Sequence, residues 1–257
     1  MIIYEGPSQI DRSPIVAILT GHDTPSVNKK TGPMAQVWIL CRDTHPVEAA
    51  KSGDDIGACG GCIHRKLNLD TCYVTLAHGP AAVWRKYKAG GYPHVAGIEW
   101  PAGAAPNRIL HRHPRVKGVR FGAYGDPMAL PIEVIEQVAS WFEFWTGYTH
   151  QWRRRGSEAY APFCMASIEL AHQAPQAWKR GFRTFSTDPG TADSIECPAD
   201  PAAGITCDTC KACGGDSSAS GFVSGIWIDP HGRGSQRVEE YTRTHGKRPE
   251  PIEASGT

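Results

Sequence analysis

The sequence predicts an α/β fold built from βα repeats, and three observations carry that expectation. From about Arg115 onward, short β-like runs ending in small or polar residues alternate with helical stretches. The chain has 257 residues, 40% of them hydrophobic and 21% charged, which is enough to bury a sizeable core as one large or two small domains. Residues 52–72, ahead of the repeats, are glycine- and cysteine-rich with little periodicity, as expected of a ligand loop. Right-handed βα repeats give an open doubly wound sheet or a barrel, and both put their working residues at the carboxyl ends of the strands.

Taken in order, residues 1–50 hold two strand-like runs, Val16-Ala-Ile-Leu-Thr and Gln36-Val-Trp-Ile-Leu, and read as an N-terminal β segment. Tyr73-Val-Thr-Leu follows the first cysteine loop as a short strand candidate. Pro80 to Gly90 starts on a proline, ends on a glycine and places Val83, Trp84 and Tyr87 on one face, which predicts a helix. The repeat then supplies strand candidates at Val119–Tyr124, Phe144–Thr149, Phe163–Ser167, Arg183–Ser186 and Gly225–Asp229. Between the first two, Ile135, Val138, Ala139 and Phe142 recur at helical spacing. Between the third and fourth, Glu169 to Arg180 is helical in pattern, with Pro175 as a kink or the true start. These readings divide the chain into the β segment 1–50, an α/β domain over 51–232 with two metal loops, and a polar tail over 233–257 that shows no apolar period and is expected to be loosely held.

A net charge of +1 gives no global case for a nucleic-acid or membrane partner. Two local clusters do interleave basic and aromatic residues: His111 to Arg120, and Trp152 leading into Arg153, Arg154 and Arg155. Such clusters can grip a nucleic-acid backbone and stack on bases, though an arginine triplet is more often a solvated face. The N-terminus lacks the basic region, apolar stretch and cleavage site of a signal peptide, and no run approaches the roughly 18 apolar residues of a membrane helix. A soluble, cytoplasmic chain is the expectation.

Seven of the nine cysteines form two groups. In a cytosolic chain of this length, such clustering reads as metal ligation rather than disulfides. Cys197, followed by Pro198, and Cys207-x-x-Cys210-x-x-Cys213 offer four thiolates, the number a 4Fe-4S cluster takes. Zinc is the main competitor, although its thiolates usually arrive as two separated knuckles. Cys59, Cys62 and Cys72 are one ligand short, so His64, His78, Cys41, Cys164 or a non-protein ligand would complete them. If nothing in the chain does, one iron stays open to a small molecule. Polar residues cluster at the predicted strand ends, among them Gly125-Asp126-Pro127, Thr149-His150 and Ser167-Ile168-Glu169, where turn and cap chemistry competes with ligand binding as the explanation.

Cys59-Gly-Gly-Cys62-Ile-His, Thr71-Cys72-Tyr73, Arg120-Phe-Gly-Ala-Tyr-Gly-Asp-Pro127, Gly147-Tyr-Thr-His150 and Cys207-x-x-Cys210-x-x-Cys213-Gly-Gly together resemble cysteine-rich proteins encoded by tailed bacteriophages. That family is in turn remotely similar to radical S-adenosylmethionine enzymes. The resemblance implies a partial (β/α) barrel with Cys59, Cys62 and Cys72 on a catalytic 4Fe-4S cluster and an auxiliary cluster near the C-terminus. It implies that Gly125 and Asp126 lie where the methionine part of S-adenosylmethionine is bound, with His150 as a further cofactor-binding candidate. The loop spacing is C-x2-C-x9-C in place of that family's C-x3-C-x2-C. The expected function is therefore a phage-encoded iron–sulfur protein of radical type, acting on a nucleotide or nucleic acid in the host cytoplasm. The alternatives are a zinc-stapled nucleic-acid-binding protein for phage replication or regulation, and a structural cluster protein without turnover.

Overall fold

The computed structural model describes residues 1–95, 113–191, 193–215, 224–231 and 234–246. It is a mixed α/β structure with two five-stranded sheets, both rich in parallel pairs. The first sheet has the order β1 (Ile2–Pro7), β2 (Pro14–Thr20), β3 (Ala35–Cys41), β4 (Gly118–Tyr124), β5 (Phe144–Thr146). The second runs β6 (Tyr148–Thr149), β7 (Met165–Ile168), β8 (Thr184–Ser186), β10 (Gly225–Trp227), β9 (Ser194–Glu196).

Residues 1–50 do not stand apart from the repeat. β1, β2 and β3 pair antiparallel, and β3 then pairs parallel with β4, so the N-terminal strands are the edge of the sheet that carries the repeat. They share its core as well: Ile15, Ala17, Leu19, Val37 and Ile39 pack with Phe121, Leu130, Ile135, Val138 and Trp141. Burial on both faces explains why β2 reads Pro-Ile-Val-Ala-Ile-Leu-Thr, a continuous apolar run without alternation.

The two sheets meet at Gly147. β5 pairs with β4 on one side of it and β6 pairs with β7 on the other, all parallel. The Gly147 carbonyl accepts from Met165 N at 2.9 Å, which keeps the ladder running across the junction. A Cβ at this position would lie 2.8 Å from the Phe163 carbonyl and 2.9 Å from Cys164 Sγ, so the close approach of these backbones requires glycine.

Helices follow their sequence signals. Over Pro46–Ser52 lies α1, which starts on proline and ends at Gly53; the single turn α2 covers Ile56–Cys59 and α3 covers Gly79–Lys88. The Ile135, Val138, Ala139 stripe lies on α4 (Ile132–Ala139) and is buried. Pro175 is a start rather than a kink: a 3-10 turn over Ala171–Gln173 leads into α5 (Ala174–Lys179) with the proline in its first turn. Cys207–Cys210 forms the one-turn α6.

Three expectations differ from the structure. Tyr73-Val-Thr-Leu is not a strand; Val74 and Leu76 instead pack beside Val16, Ile18 and Val83. The strands β1 and β9 were without a sequence signal strong enough to be expected. The segment after Arg233 contains α7 (Ser235–His245), docked through buried Val238 and through Arg237, which donates to the Leu69 carbonyl at 2.9 Å. Among the described residues no helix is long and apolar enough to cross a membrane.

Candidate metal centre

The two cysteine groups, more than a hundred residues apart in sequence, face one cavity of about 490 Å³. Cys59, Cys62 and Cys72 line it together with Cys197, Cys207, Cys210 and Cys213. Gly125, Asp126 and His150 line it too, as do Ser167, Ile168 and Thr187 near the ends of β7 and β8. The carboxyl ends of the parallel strands therefore do form the floor, as the βα rhythm implied.

The first loop is held by the polypeptide itself. Asp126 N–H donates to the Ala58 carbonyl at 2.7 Å, tying the end of β4 to the residue before Cys59. Gln151 spans the turn: its Oε1 accepts from Gly61 N at 3.2 Å and its Nε2 reaches the Cys59 carbonyl at 3.4 Å. Gly60 has φ 58° and ψ −140°, and a Cβ there would meet Gln151 Cδ at 2.4 Å, so only glycine fits between the two cysteines. Arg65 closes the loop from outside. Its guanidinium bonds the Gly53 carbonyl at 2.8 Å and the Gly60 carbonyl at 3.3 Å, and it pairs with buried Asp55 at 2.5 Å.

Asp126, expected at the cofactor, borders the cavity, but its carboxylate is taken up by protein contacts. Its carboxylate accepts from Met128 N at 3.0 Å, Thr149 Oγ1 at 2.7 Å and His150 N at 2.9 Å. Burial raises its pKa, and the neighbouring His150 works against that rise. Asp126 thus fixes the strand ends and the backbone of His150, and Gly125 beside it presents backbone to the cavity.

Of the four residues offered to complete the first set, only His64 lines the cavity. Cys41 Sγ donates to the Asp54 carbonyl at 3.2 Å, and burial, then the nearby aspartates, push its thiol up to about 12. Cys164 is fully buried, which raises its pKa strongly, and His78 precedes the first turn of α3 without a side-chain capping bond. Beside Cys62 instead stands a group of three: His64, His150 and Glu169. Cys62 Sγ lies 3.7 Å from His150 Nε2, which is 3.1 Å from Glu169 Oε1. Burial, then His150, lowers His64 to about 4. For His150, burial favours the neutral ring, but the Cys62 sulfur and the Glu169 carboxylate outweigh it and raise the pKa well above the usual range.

The second set is arranged differently. Thr209 Oγ1 accepts from Thr206 N at 2.9 Å and caps α6, which carries Cys207 and Cys210. Cys207 N donates to the Lys30 carbonyl at 3.0 Å and Cys197 N to the Trp227 carbonyl at 2.8 Å. Cys213 is buried; desolvation, eased by a hydrogen bond with Tyr148 and reinforced by the other thiols of the set, brings it to about 12. In the first set Cys59 is raised well above the usual range by burial, then by Cys62, and Cys72 to about 11 mainly by burial. Thiols in both places must lose protons on binding a metal.

Arg120 stands between the sets. From β4 its guanidinium bonds the Tyr73 hydroxyl, next to Cys72, and the same charge acts on Tyr148 and Cys207. Arg120 and Lys30 line the cavity, and the one acidic residue of the lining, Asp126, is already bonded within the protein. Arg120 and Lys30 thus put fixed positive charge on the wall beside the thiols.

Around one tetrahedral zinc, sulfurs lie about 3.8 Å apart, as Zn–S bonds of about 2.3 Å require. Among the described residues, His64, His150 and Glu169 are the one group of three or more His, Cys, Asp or Glu donors gathered within 4.8 Å. Neither cysteine set converges that tightly, although within each set the thiols act on one another electrostatically. An iron–sulfur cubane holds each thiolate on a separate iron.

The basic clusters are divided. Arg120 faces the cavity, Lys117 pairs with Glu143 at 2.7 Å, Arg153 stacks on Trp152 at 3.8 Å and Arg154 bonds the Ile10 carbonyl at 2.9 Å. His111 lies outside the described residues. Glu169 stands at the strand end where the sequence placed Ser167-Ile168-Glu169, whereas nothing in the sequence marks Arg65 or Gln151, whose partners are backbone groups or remote along the chain. A comparison with protein-family models, curated proteins and solved structures finds no match to this chain.

Proposed function

We propose that this chain is an iron–sulfur protein with two cluster positions around one substrate cavity. The observation that carries the reading is that Cys59, Cys62 and Cys72 line the same cavity as Cys197, Cys207, Cys210 and Cys213. The second set has the four thiolates of a closed 4Fe-4S cluster. The first has three, which leaves an iron open toward the cavity. The consecutive three-residue steps of Cys207, Cys210 and Cys213, in place of two separated knuckles, support a cluster over a structural zinc at the second position.

The resemblance to radical S-adenosylmethionine enzymes supports a further step: S-adenosylmethionine as the ligand of the first position, on a parallel run read as part of a (β/α) barrel, in a phage protein at work in the host cytoplasm. When bound, a cluster with an open iron supplies an electron to such a ligand. The chain's own residues orient and enclose. Gly125 offers backbone at the ligand, Asp126 holds the β4 and β6 ends in place, and Gln151 and Arg65 keep the cysteine loop in one conformation. Arg120 supplies a fixed positive charge for an anionic substrate group, and a nucleotide is the substrate class that fits it.

Anaerobic purification followed by iron, sulfide and zinc analysis tests the reading. Iron and sulfide are expected in amounts that fall by about half when either cysteine set is changed to serine. Colourless protein with stoichiometric zinc and no sulfide would overturn it. Adding S-adenosylmethionine to the reduced protein is expected to change the cluster's magnetic spectrum only while Cys59, Cys62 and Cys72 are intact.

A further inference from the structure

Three side chains from three separate parts of the chain meet beside the cavity without using a cysteine. His64 comes from the loop after Cys62, His150 from the end of β6 and Glu169 from the end of β7. One donor atom from each lies within 4.8 Å of the others, and the two imidazole rings stand nearly perpendicular with centroids 5.4 Å apart.

Glu169 is 7% exposed, and its Oε1 is ion-paired with His150. His150 Nε2 is only 3.1 Å from it. Without metal the two form an ion pair; the same spacing also suits two ligands on one ion, where bonds of about 2.0–2.2 Å put neighbouring donors about 3 Å apart and the cation takes the place of the shared proton. His64 is oriented by Thr71, whose Oγ1 lies 2.7 Å from Nδ1, leaving Nε2 for another partner. Histidine ligands are generally fixed in this way through their other nitrogen.

We infer that His64, His150 and Glu169 bind a divalent first-row cation such as Zn²⁺, Fe²⁺ or Co²⁺. Two imidazoles and one carboxylate suit these ions, while Mg²⁺ and Ca²⁺ take oxygen shells. His64 and His150 line the cavity and Glu169 does not, so the remaining coordination positions face the cavity. Three protein ligands with an open position are the arrangement of a working rather than a structural ion. The site shares no ligand with either cysteine set, so it stands or falls apart from the iron–sulfur reading.

Cobalt titration of the full-length chain under anaerobic conditions tests it. Equilibrium dialysis counts all bound Co²⁺, and the thiolate-to-cobalt charge-transfer band counts cobalt on sulfur. One equivalent is expected to bind without that band and to be lost, or weakened at least about tenfold, in Glu169→Gln and in His64→Gln while the sulfur-bound count stays unchanged. Thr71→Val keeps all three ligands and guards against a ligand variant that fails to fold; it is expected to weaken the same equivalent about tenfold. The inference is overturned if all bound cobalt shows the sulfur band, or if the extra equivalent binds equally well in Glu169→Gln and Thr71→Val. Iron and sulfide content, read on the same samples, reports separately on the cysteine sets.

Discussion

The two cysteine sets face each other across one cavity but are organised by different forces. Around Cys59, Cys62 and Cys72 the polypeptide does the organising: Arg65, Asp55, Gln151 and the Asp126 amide all bond the loop, and Gly60 is shaped to Gln151. Around Cys197, Cys207, Cys210 and Cys213 the four thiols sit on a one-turn helix and two loops, with backbone bonds to Lys30 and Trp227 as the main ties. A set with three ligands needs its geometry imposed from outside, whereas a set with four can be closed by the metal itself. Preorganisation is thus concentrated where chemistry is proposed, and metal dependence where only closure is needed.

Changes at the first loop should therefore cost stability without any metal, and changes at the second mainly through it. Arg65→Met leaves Asp55 buried without its partner and should destabilise the chain by about 3–5 kcal/mol, read by denaturant unfolding. Equal stability of wild type and variant would break the contrast. Gly60→Ala should cost about 1–3 kcal/mol in backbone strain and displace Gln151, with about half the iron lost and the second set intact. At the second set, Thr209→Val removes the acceptor for Thr206 N and should cost about 1 kcal/mol in metal-free protein, less once metal is bound. A larger loss at Thr209 than at Arg65 would reverse the assignment of rigidity.

How much of this could be read from the chain follows the same division between local and remote. The repeat was legible in β4, α4, β7, β8 and β10, because alternation, the Ile135 stripe and Pro175 are local signals. The hand-over between sheets at Gly147 was not, since it depends on Phe163 and Cys164 approaching from elsewhere. Helix α7 was missed because a single buried residue, Val238, docks it, and one apolar residue makes no period. At the site, both cysteine sets were visible as spacing, but their meeting in one cavity was not. Gln151 and Cys59 lie 92 positions apart, and nothing about a lone glutamine marks it as the cap of a cysteine loop.

The central claim is that two iron–sulfur clusters share one cavity, and spin coupling tests it most directly. In the fully reduced protein, electron paramagnetic resonance should show two spectra broadened and fast-relaxing through mutual interaction. Each should turn into a single unbroadened signal when Cys59, Cys62 and Cys72, or Cys197, Cys207, Cys210 and Cys213, are replaced by serine. A wild-type spectrum equal to the plain sum of the two single-set variants, or no iron signal at all, would contradict it.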